Sequence, residues 1–325
     1  MKQKPKIAFC WLSSCGGCEE SIVDLSETLL AAAEAAEILF WPVALDYRYE
    51  DLEKLEDQEL DAAFINGSVR MDDQEELAHL FRKKSKRIFA HGTCAHLGGV
   101  VGLANLFPGK EGLNEAYLRA PTVSNPDSIL PKTRCEEGGE TLALPGFHPA
   151  VKALHQVIDV EYSIPGCPPT PELVEEAILG LLEKRLPSRG SVLAEKKALC
   201  HTCPLNRTKP ERIQAQRFYR IYEKIWDPNR CFLDQGLICL GPSTRGGCKA
   251  RCIQANFPCR GCFGPLEKVR DQGAATLSFL ASLMHAATPE EIEMIADSIP
   301  DPAGLFYRYS LPSSRIHQSR FEENP

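Results

Sequence analysis

Ile7-Ala8-Phe9-Cys10-Trp11-Leu12-Ser13-Ser14-Cys15-Gly16-Gly17-Cys18 is the stretch whose reading decides the fold. Residues 6–12 are short and apolar, as a buried strand is, and Ser13-Ser14-Cys15-Gly16-Gly17 is a turn able to start a helix. From Cys18 onward, Ile22, Val23, Leu25, Leu29 and Leu30 keep helical spacing. The stretch is therefore a β-turn-α opening.

The same alternation recurs downstream. Strands are expected at residues 38–45, at 62–65 before Asn66-Gly67-Ser68, at 86–90 before His91-Gly92-Thr93-Cys94, and at 159–164 before Pro165-Gly166-Cys167-Pro168-Pro169. Between them lies an acidic helix with Leu77, Leu80 and Phe81 on its apolar side, and residues 172–184 follow as an amphipathic helix. Alternating strands and helices with Gly-rich turns predict an α/β fold, a flavodoxin-like doubly wound parallel sheet. Residues 105–150, rich in Pro and Gly, read mostly as loop with short helices. Leu186-Pro187-Ser188-Arg189-Gly190-Ser191 reads as a linker, dividing the chain into 1–186 and 187–325. The second part predicts a cysteine-rich, irregular domain with few helices: one over 212–225, two over 273–285 and 289–296, then an extended Phe306-Tyr307-Arg308-Tyr309.

At 325 residues the chain has room for about two domains, and 43% hydrophobic content supports a real core. A net charge of −7 leaves no basic surplus for phosphates, which argues against nucleic acid as a partner. No apolar run approaches the roughly 20 residues of a membrane span. The basic start Met1-Lys2-Gln3-Lys4-Pro5-Lys6 runs into a stretch too short and mixed for a signal sequence. A cytoplasmic protein is expected, and fourteen cysteines in a reducing compartment point to metal or redox chemistry rather than disulfides.

Four of those cysteines follow strand ends. Ligands of an open parallel sheet bind outside the carboxyl ends of its strands, and Cys15, Cys18, Cys94 and Cys167 arrive there from three βα loops. Cys15-Gly16-Gly17-Cys18 alone could be a thioredoxin-like dithiol, but such a dithiol needs neither Cys94 nor Cys167. There is no Walker loop and no GxGxxG.

Eight more cysteines fall between Cys200 and Pro265, with a CxxC pair at either end. One tight turn aims two thiolates at one centre, so eight suggest two closed four-thiolate sites. The sequential partition is Cys200, Cys203, Cys231 and Cys239 in one, and Cys248, Cys252, Cys259 and Cys262 in the other. Zinc and iron–sulfur both accept such ligands; the spacing and the presence of a third set favour iron–sulfur over a zinc-stapled structural protein. Cys10 reads as a buried small hydrophobe, and Cys135 has no assigned role. His91 and His96 flank the Cys94 turn and read as packing or capping residues, and His201 is not needed as a ligand.

Trp11-Leu12-Ser13-Ser14-Cys15-Gly16-Gly17-Cys18, Gly92-Thr93-Cys94, Pro165-Gly166-Cys167-Pro168-Pro169, Gln235-Gly236-Leu237-Ile238-Cys239, Pro258-Cys259-Arg260-Gly261-Cys262-Phe263-Gly264-Pro265 and Asp271-Gln272-Gly273-Ala274 span the chain nearly end to end. As a set they resemble the small, electron-transferring subunit of cytoplasmic [NiFe]-hydrogenases, in particular the methyl-viologen-reducing type associated with heterodisulfide reductase. The resemblance implies an oxidoreductase subunit with no catalytic residue of its own and three [4Fe-4S] clusters: a proximal one on Cys15, Cys18, Cys94 and Cys167, a medial one on Cys248, Cys252, Cys259 and Cys262, and a distal one on Cys200, Cys203, Cys231 and Cys239. It further implies a hetero-oligomer with a large subunit carrying the nickel–iron centre, and an acceptor subunit, a 2Fe-2S or flavin protein of the heterodisulfide-reductase type. The small subunit of a sulfhydrogenase or NAD(P)-linked hydrogenase is the alternative within the superfamily. The quinone-reductase subunit of respiratory complex I shares the proximal domain but has a vicinal cysteine pair and lacks the C-terminal eight. Where the better-known periplasmic enzymes have a glutamate before the first proximal cysteine, this chain has Ser14, which leaves Glu19 or Glu20 as possible proton carriers.

Overall fold

β1 (Lys6–Trp11) is the last but one strand of a six-stranded parallel sheet, with the edge strand β2 (Glu37–Phe40) on one side and β3 (Ala62–Asn66) on the other. In the computed structural model, which describes residues 4–107 and 111–316, the order continues through β5 (Ile88–His91), β9 (Tyr162–Ile164) and β10 (Ser191–Val192). Residues 1–3 of the basic N-terminal run lie outside the described residues. β1 first hands the chain to β2 and then receives β3 on its opposite edge, so the winding reverses at the carboxyl ends of β1 and β3. This is the flavodoxin-like doubly wound arrangement expected.

The helices are α1 (Gly17–Val23), α2 (Glu27–Ala35), α3 (Tyr49–Lys54), α4 (Asp72–Lys84), α5 (Gly92–Leu97) and, after β9, α7 (Pro171–Leu182). Alternation of side chains along each strand feeds two cores. On one face Phe9, Phe64, Phe89 and Tyr162 stack in sequence, with centroids 5.2, 4.5 and 5.0 Å apart, under α1, α2 and α7. On the other, Ala8, Cys10, Ile65 and Ala90 pack against Phe81 and Leu52. Cys10 is buried within β1, as its place in an apolar run implies.

Several details depart from expectation. The helical run from Cys18 breaks at Ser26, whose φ is 53°, and leaves Val23 and Leu30 exposed on two helices rather than one. The strand expected over 38–45 stops at Phe40, since Pro42 follows Trp41 and removes a ladder donor. Residues 105–150 hold more structure than loop: a short helix α6 (Glu111–Asn114), an exposed hairpin of β6 (Arg134–Glu137) and β7 (Glu140–Ala143), and β8 (Phe147–Lys152), which pairs antiparallel with β4 (Val69–Met71). The helix expected over 212–225 is absent. Ile213 and Ala215 are buried with Gln214 exposed between them, as in an extended edge, and Ala215 and Tyr219 form bridges to Met284 and Leu237. Ile225 is 99% exposed, so tertiary pairing has overridden the apparent helical period.

Beyond residue 191 the chain is largely irregular, and among the described residues its α-helices are α8 (Arg251–Gln254), α9 (Gln272–Leu283), α10 (Pro289–Asp297) and α11 (Pro302–Phe306). Phe306 ends α11 and residues 307–310 turn, where an extended segment was expected; Asp301 caps the helix by accepting the Gly304 amide. A hydrophobic cluster that includes Phe218, Phe232, Leu240, Ile253 and Leu280 packs directly on Cys239 and Cys259. Residues 311–313 then return to the sheet unit: Ser313 Oγ donates to Leu97 O at 3.1 Å and Gln156 Nε2 donates to Pro312 O at 2.9 Å. Among the described residues no helix is long and apolar enough to cross a membrane.

Candidate metal centres

The winding reversal places the β1–α1 turn, the start of α5 and the loop after β9 at one sheet edge, and each brings cysteine. Thr93 joins two of these loops, donating its amide to Gly166 O at 2.8 Å and accepting the Gly166 amide on Oγ1 at 3.1 Å. The peptide between Cys167 and Pro168 is cis. Gly92 and Gly99, with φ of +82° and +60°, stand where a Cβ would strike Cys18 Sγ and Cys94 Sγ respectively. Only glycine tolerates both that backbone and that proximity.

Cys15 and Cys167 are exposed, Cys18 and Cys94 buried. Burial pushes the Cys18 thiol far up, and the charges of Cys94, Cys167 and Cys15 push it further. Cys94 is pushed up to about 12, by burial first and then by Cys167 and Cys15, against the pull of the Val100 and Val101 amides. Four thiols that oppose one another's ionisation become thiolates together only around a cation, and amides aimed at sulfur are what an iron–sulfur core uses. The donor set fits such a core.

Cys200, Cys203, Cys231 and Cys239 line one cavity with about 410 Å³ of space free of protein atoms, part of it open to solvent. Its remaining wall is mostly apolar, from residues such as Leu199, Phe232 and Ile253. Gln235 shapes the Cys231 turn, donating from Nε2 to Arg230 O at 3.1 Å and accepting the Asp227 amide at 2.8 Å; Thr208 Oγ1 accepts the Cys231 amide at 2.9 Å. Burial pushes Cys200 up to about 11 and Cys239 up to about 12.

Cys248, Cys252, Cys259 and Cys262 form the other group, with Cys252 on α8. Gln272 Nε2 donates to Gly261 O at 3.0 Å and to Thr244 Oγ1 at 3.2 Å, holding the Cys259–Cys262 turn in place. Burial raises Cys259 and Cys262, the latter to about 12, and the thiols of this group press on one another. Two contacts string the three groups together. Thr93, next to Cys94, donates from Oγ1 to Cys262 O at 2.5 Å, and the Cys259 amide donates to Cys239 Sγ at 3.3 Å. The Cys248 group therefore touches both of the others. Among the described residues no three or more His, Cys, Asp or Glu side chains gather tightly enough for one metal ion, so the groups are defined by shared cavity, mutual charge and these contacts.

The remaining candidates fall into place around the thiols. His201 is exposed and absent from the cavity wall. His91 is buried at the start of α5, held neutral with its pKa lowered to about 4 by burial, 3.4 Å from Ser21 Oγ. His96 is lowered to about 3 by burial, then by the charges of His155 and Arg245. Glu19 points inward and accepts Trp41 Nε1 at 2.6 Å and Asn66 Nδ2; burial raises its pKa against those two hydrogen bonds. Ser14 Oγ donates to Asn66 Oδ1 at 2.9 Å, and Glu20 is exposed. Cys135 lies exposed on the β6–β7 hairpin. Thr93, Gln235 and Gln272, all inside the quoted motifs, are the supporting residues that reading for ligands alone passes over.

The family profile described as "NADH ubiquinone oxidoreductase, 20 Kd subunit" matches residues 15–181. The iron-sulfur subunit of an F420-non-reducing hydrogenase from Archaeoglobus profundus is 37% identical over 320 residues, covering 98% of this chain and 99% of its own. The corresponding F420-non-reducing hydrogenase chain of Methanothermobacter marburgensis is 36% identical over 323 residues, with 97% of each chain covered. Among solved structures, the [NiFeSe] hydrogenase of Desulfovibrio vulgaris Hildenborough has a chain that matches with a TM-score of 0.51 at 18% identity, covering 82% of this chain and 95% of its own, a likeness of fold.

Proposed function

The chain belongs to the NADH ubiquinone oxidoreductase 20 kDa subunit family and, within it, to the small subunits of hydrogenases of the F420-non-reducing type, and from that premise we propose that it is the electron-relaying subunit of a [NiFe]-hydrogenase. The observation that supports this best is the serial contact of three four-thiol groups, from Thr93 beside Cys94 to Cys262 and from Cys259 to Cys239. In this proposal Cys15, Cys18, Cys94 and Cys167 hold a proximal [4Fe-4S] cluster, Cys248, Cys252, Cys259 and Cys262 a medial one, and Cys200, Cys203, Cys231 and Cys239 a distal one. When bound, such clusters supply one-electron storage at potentials set by charge, hydrogen bonds to sulfur and exposure. The protein's own part is to fix the thiols, aim amides at them and exclude water from the apolar wall around Cys239 and Cys259.

The exposed Cys15 and Cys167 side is assigned to a large subunit that splits H2 into two protons and two electrons. The Cys200 side is assigned to an acceptor of the heterodisulfide-reductase type. The division into 1–186 and 187–325, and a cytoplasmic setting, belong to the same proposal. Anaerobic purification with iron assay and EPR tests it: about twelve irons per chain are expected, and about four, or none, would sink the three-cluster assignment. For the order of the groups, Cys200→Ala should impair electron delivery to the acceptor and leave hydrogen–deuterium exchange at the large subunit largely intact. Equal loss of both would overturn that order.

A further inference from the structure

Residues 207–230 carry seven Lys/Arg against three Asp/Glu, net +4, on a chain whose net charge is −7. This segment lies against the Cys200 group. Thr208 receives the Cys231 amide at 2.9 Å, Tyr219 bridges to Leu237, two residues before Cys239, and Lys224 Nζ donates to Gln235 O at 2.8 Å. Across from it runs the segment leading into Cys259. Between the two is an open groove lined by Tyr219, Arg220, Ile238, Phe257, Arg260 and Arg308, among others.

The groove's cations are presented rather than neutralised. Arg220 lies over Tyr222 at 5.9 Å from the ring centroid and Arg260 over Phe257 at 5.1 Å. Among the described residues no ion pair involves Arg220, Arg260 or Arg308. Asp301, also in the lining, commits its carboxylate to the Gly304 amide. Tyr222, in the lining, is 72% exposed and Ile225, three residues further on, is 99% exposed, apolar anchors of the kind found at protein interfaces. A basic surface on an acidic protein, rimmed by aromatics and adjoining the Cys239 and Cys259 segments, is complementary to a negatively charged protein surface.

Building on the relay reading, we propose that this groove docks an acidic electron-accepting protein. A cluster held by the Cys200 group would give up one electron per encounter to the acceptor, which is reduced by one, with no bond or proton moved. Electrons are replenished from H2 through the large subunit. The large subunit is not the occupant, because the thiols that open outward for it, Cys15 and Cys167, are at the sheet edge, whereas the groove is walled by segments of the other two groups.

Stopped-flow reduction of an acidic [2Fe-2S] ferredoxin by the H2-reduced complex, large subunit included, tests the docking. Arg220→Glu and Arg308→Glu should each slow the second-order step about ten-fold or more at low salt, Arg220→Ala less, and the gap should close at high salt. Arg134→Glu, on the exposed β6–β7 hairpin, changes net charge equally and should leave the rate near wild type. Equal slowing by Arg134→Glu, or no slowing by either groove variant, overturns the proposal, as does loss of the large subunit on purification of Arg220→Glu. Iron content and hydrogen–deuterium exchange of the unaltered complex report on the relay reading separately: if those fail, the relay itself is wrong whatever the variants do.

Discussion

The sheet-edge thiols and the eight thiols beyond residue 197 reach similar ends by opposite means. Cys15, Cys18, Cys94 and Cys167 are carried by loops of a sheet whose cores, Phe9-Phe64-Phe89 on one face and Ile65-Phe81 on the other, are complete without them. Cys239 and Cys259 are instead members of the hydrophobic cluster they sit in, with Cys203, Cys231 and Cys248 packed against it. One group is mounted on a folded unit; the other two are part of what must hold a unit together. Metal binding is folding energy where no site exists beforehand, so the two regions should answer differently to the same insult.

Iron removal is the strongest way to separate them. After chelation, residues 197–265 should lose hydrogen-exchange protection and become cut by protease, while β1, β3 and β5 stay protected; structural metal sites contribute on the order of 10 kcal/mol. Uniform protection, or uniform loss, would erase the distinction. Next in size, Phe64→Ala should destabilise the sheet unit by about 3–5 kcal/mol, visible as an early thermal transition, without changing the EPR signals assigned to the C-terminal groups. A collapse of those signals would mean that the two regions fold as one.

Thr93 lies at the seam, donating from Oγ1 to Cys262 O at 2.5 Å while accepting the Gly166 amide. Thr93→Val should cost about 1–3 kcal/mol and widen the gap between the unfolding transitions of the two regions. The smallest effect belongs to Glu172, on α7, which pairs with Lys249 at 3.2 Å and Arg251 at 2.7 Å across the same seam. The amide at its own position, then Lys249 and Arg251, hold its carboxyl down to about 2. A depressed carboxyl stabilises above its ordinary value of 4.5 and loses that contribution as pH falls toward about 2. The pair is largely exposed, so solvent screening limits Glu172→Gln to ~0.5 kcal/mol. In urea titrations the gap from wild type should narrow both in acid and in high salt.

The sheet unit was readable because its signals are local: apolar runs at Ile7 and Ala62, Gly-rich turns at strand ends, and a cysteine or pair after three of the strands. All four of its candidate ligands could be placed from that pattern alone, and the structure brings their loops to one edge. The irregular region resisted. Ile213, Phe218, Ile221 and Ile225 mimic a helical stripe, yet only Ile213 and Phe218 are buried, against partners from α9 and the Cys231–Cys239 loop that are remote in sequence. The β6–β7 hairpin also went unread, since its strands alternate without burying a face. Gln235 and Gln272 could not be distinguished from ordinary surface amides, because what they do depends on carbonyls that only folding brings within reach.

Pro312 rests in the space that side chains at Gly98 and Gly102 would fill, and Tyr309 O accepts the Gly99 amide at 3.1 Å, next to the loop that holds Cys94. The loop that holds Cys94 is thus braced by residues far downstream of it in the chain. The wall beside Cys94 is therefore finished only when residues 309–313 have folded back onto the sheet unit, so a contact between distant stretches of chain closes the sheet edge.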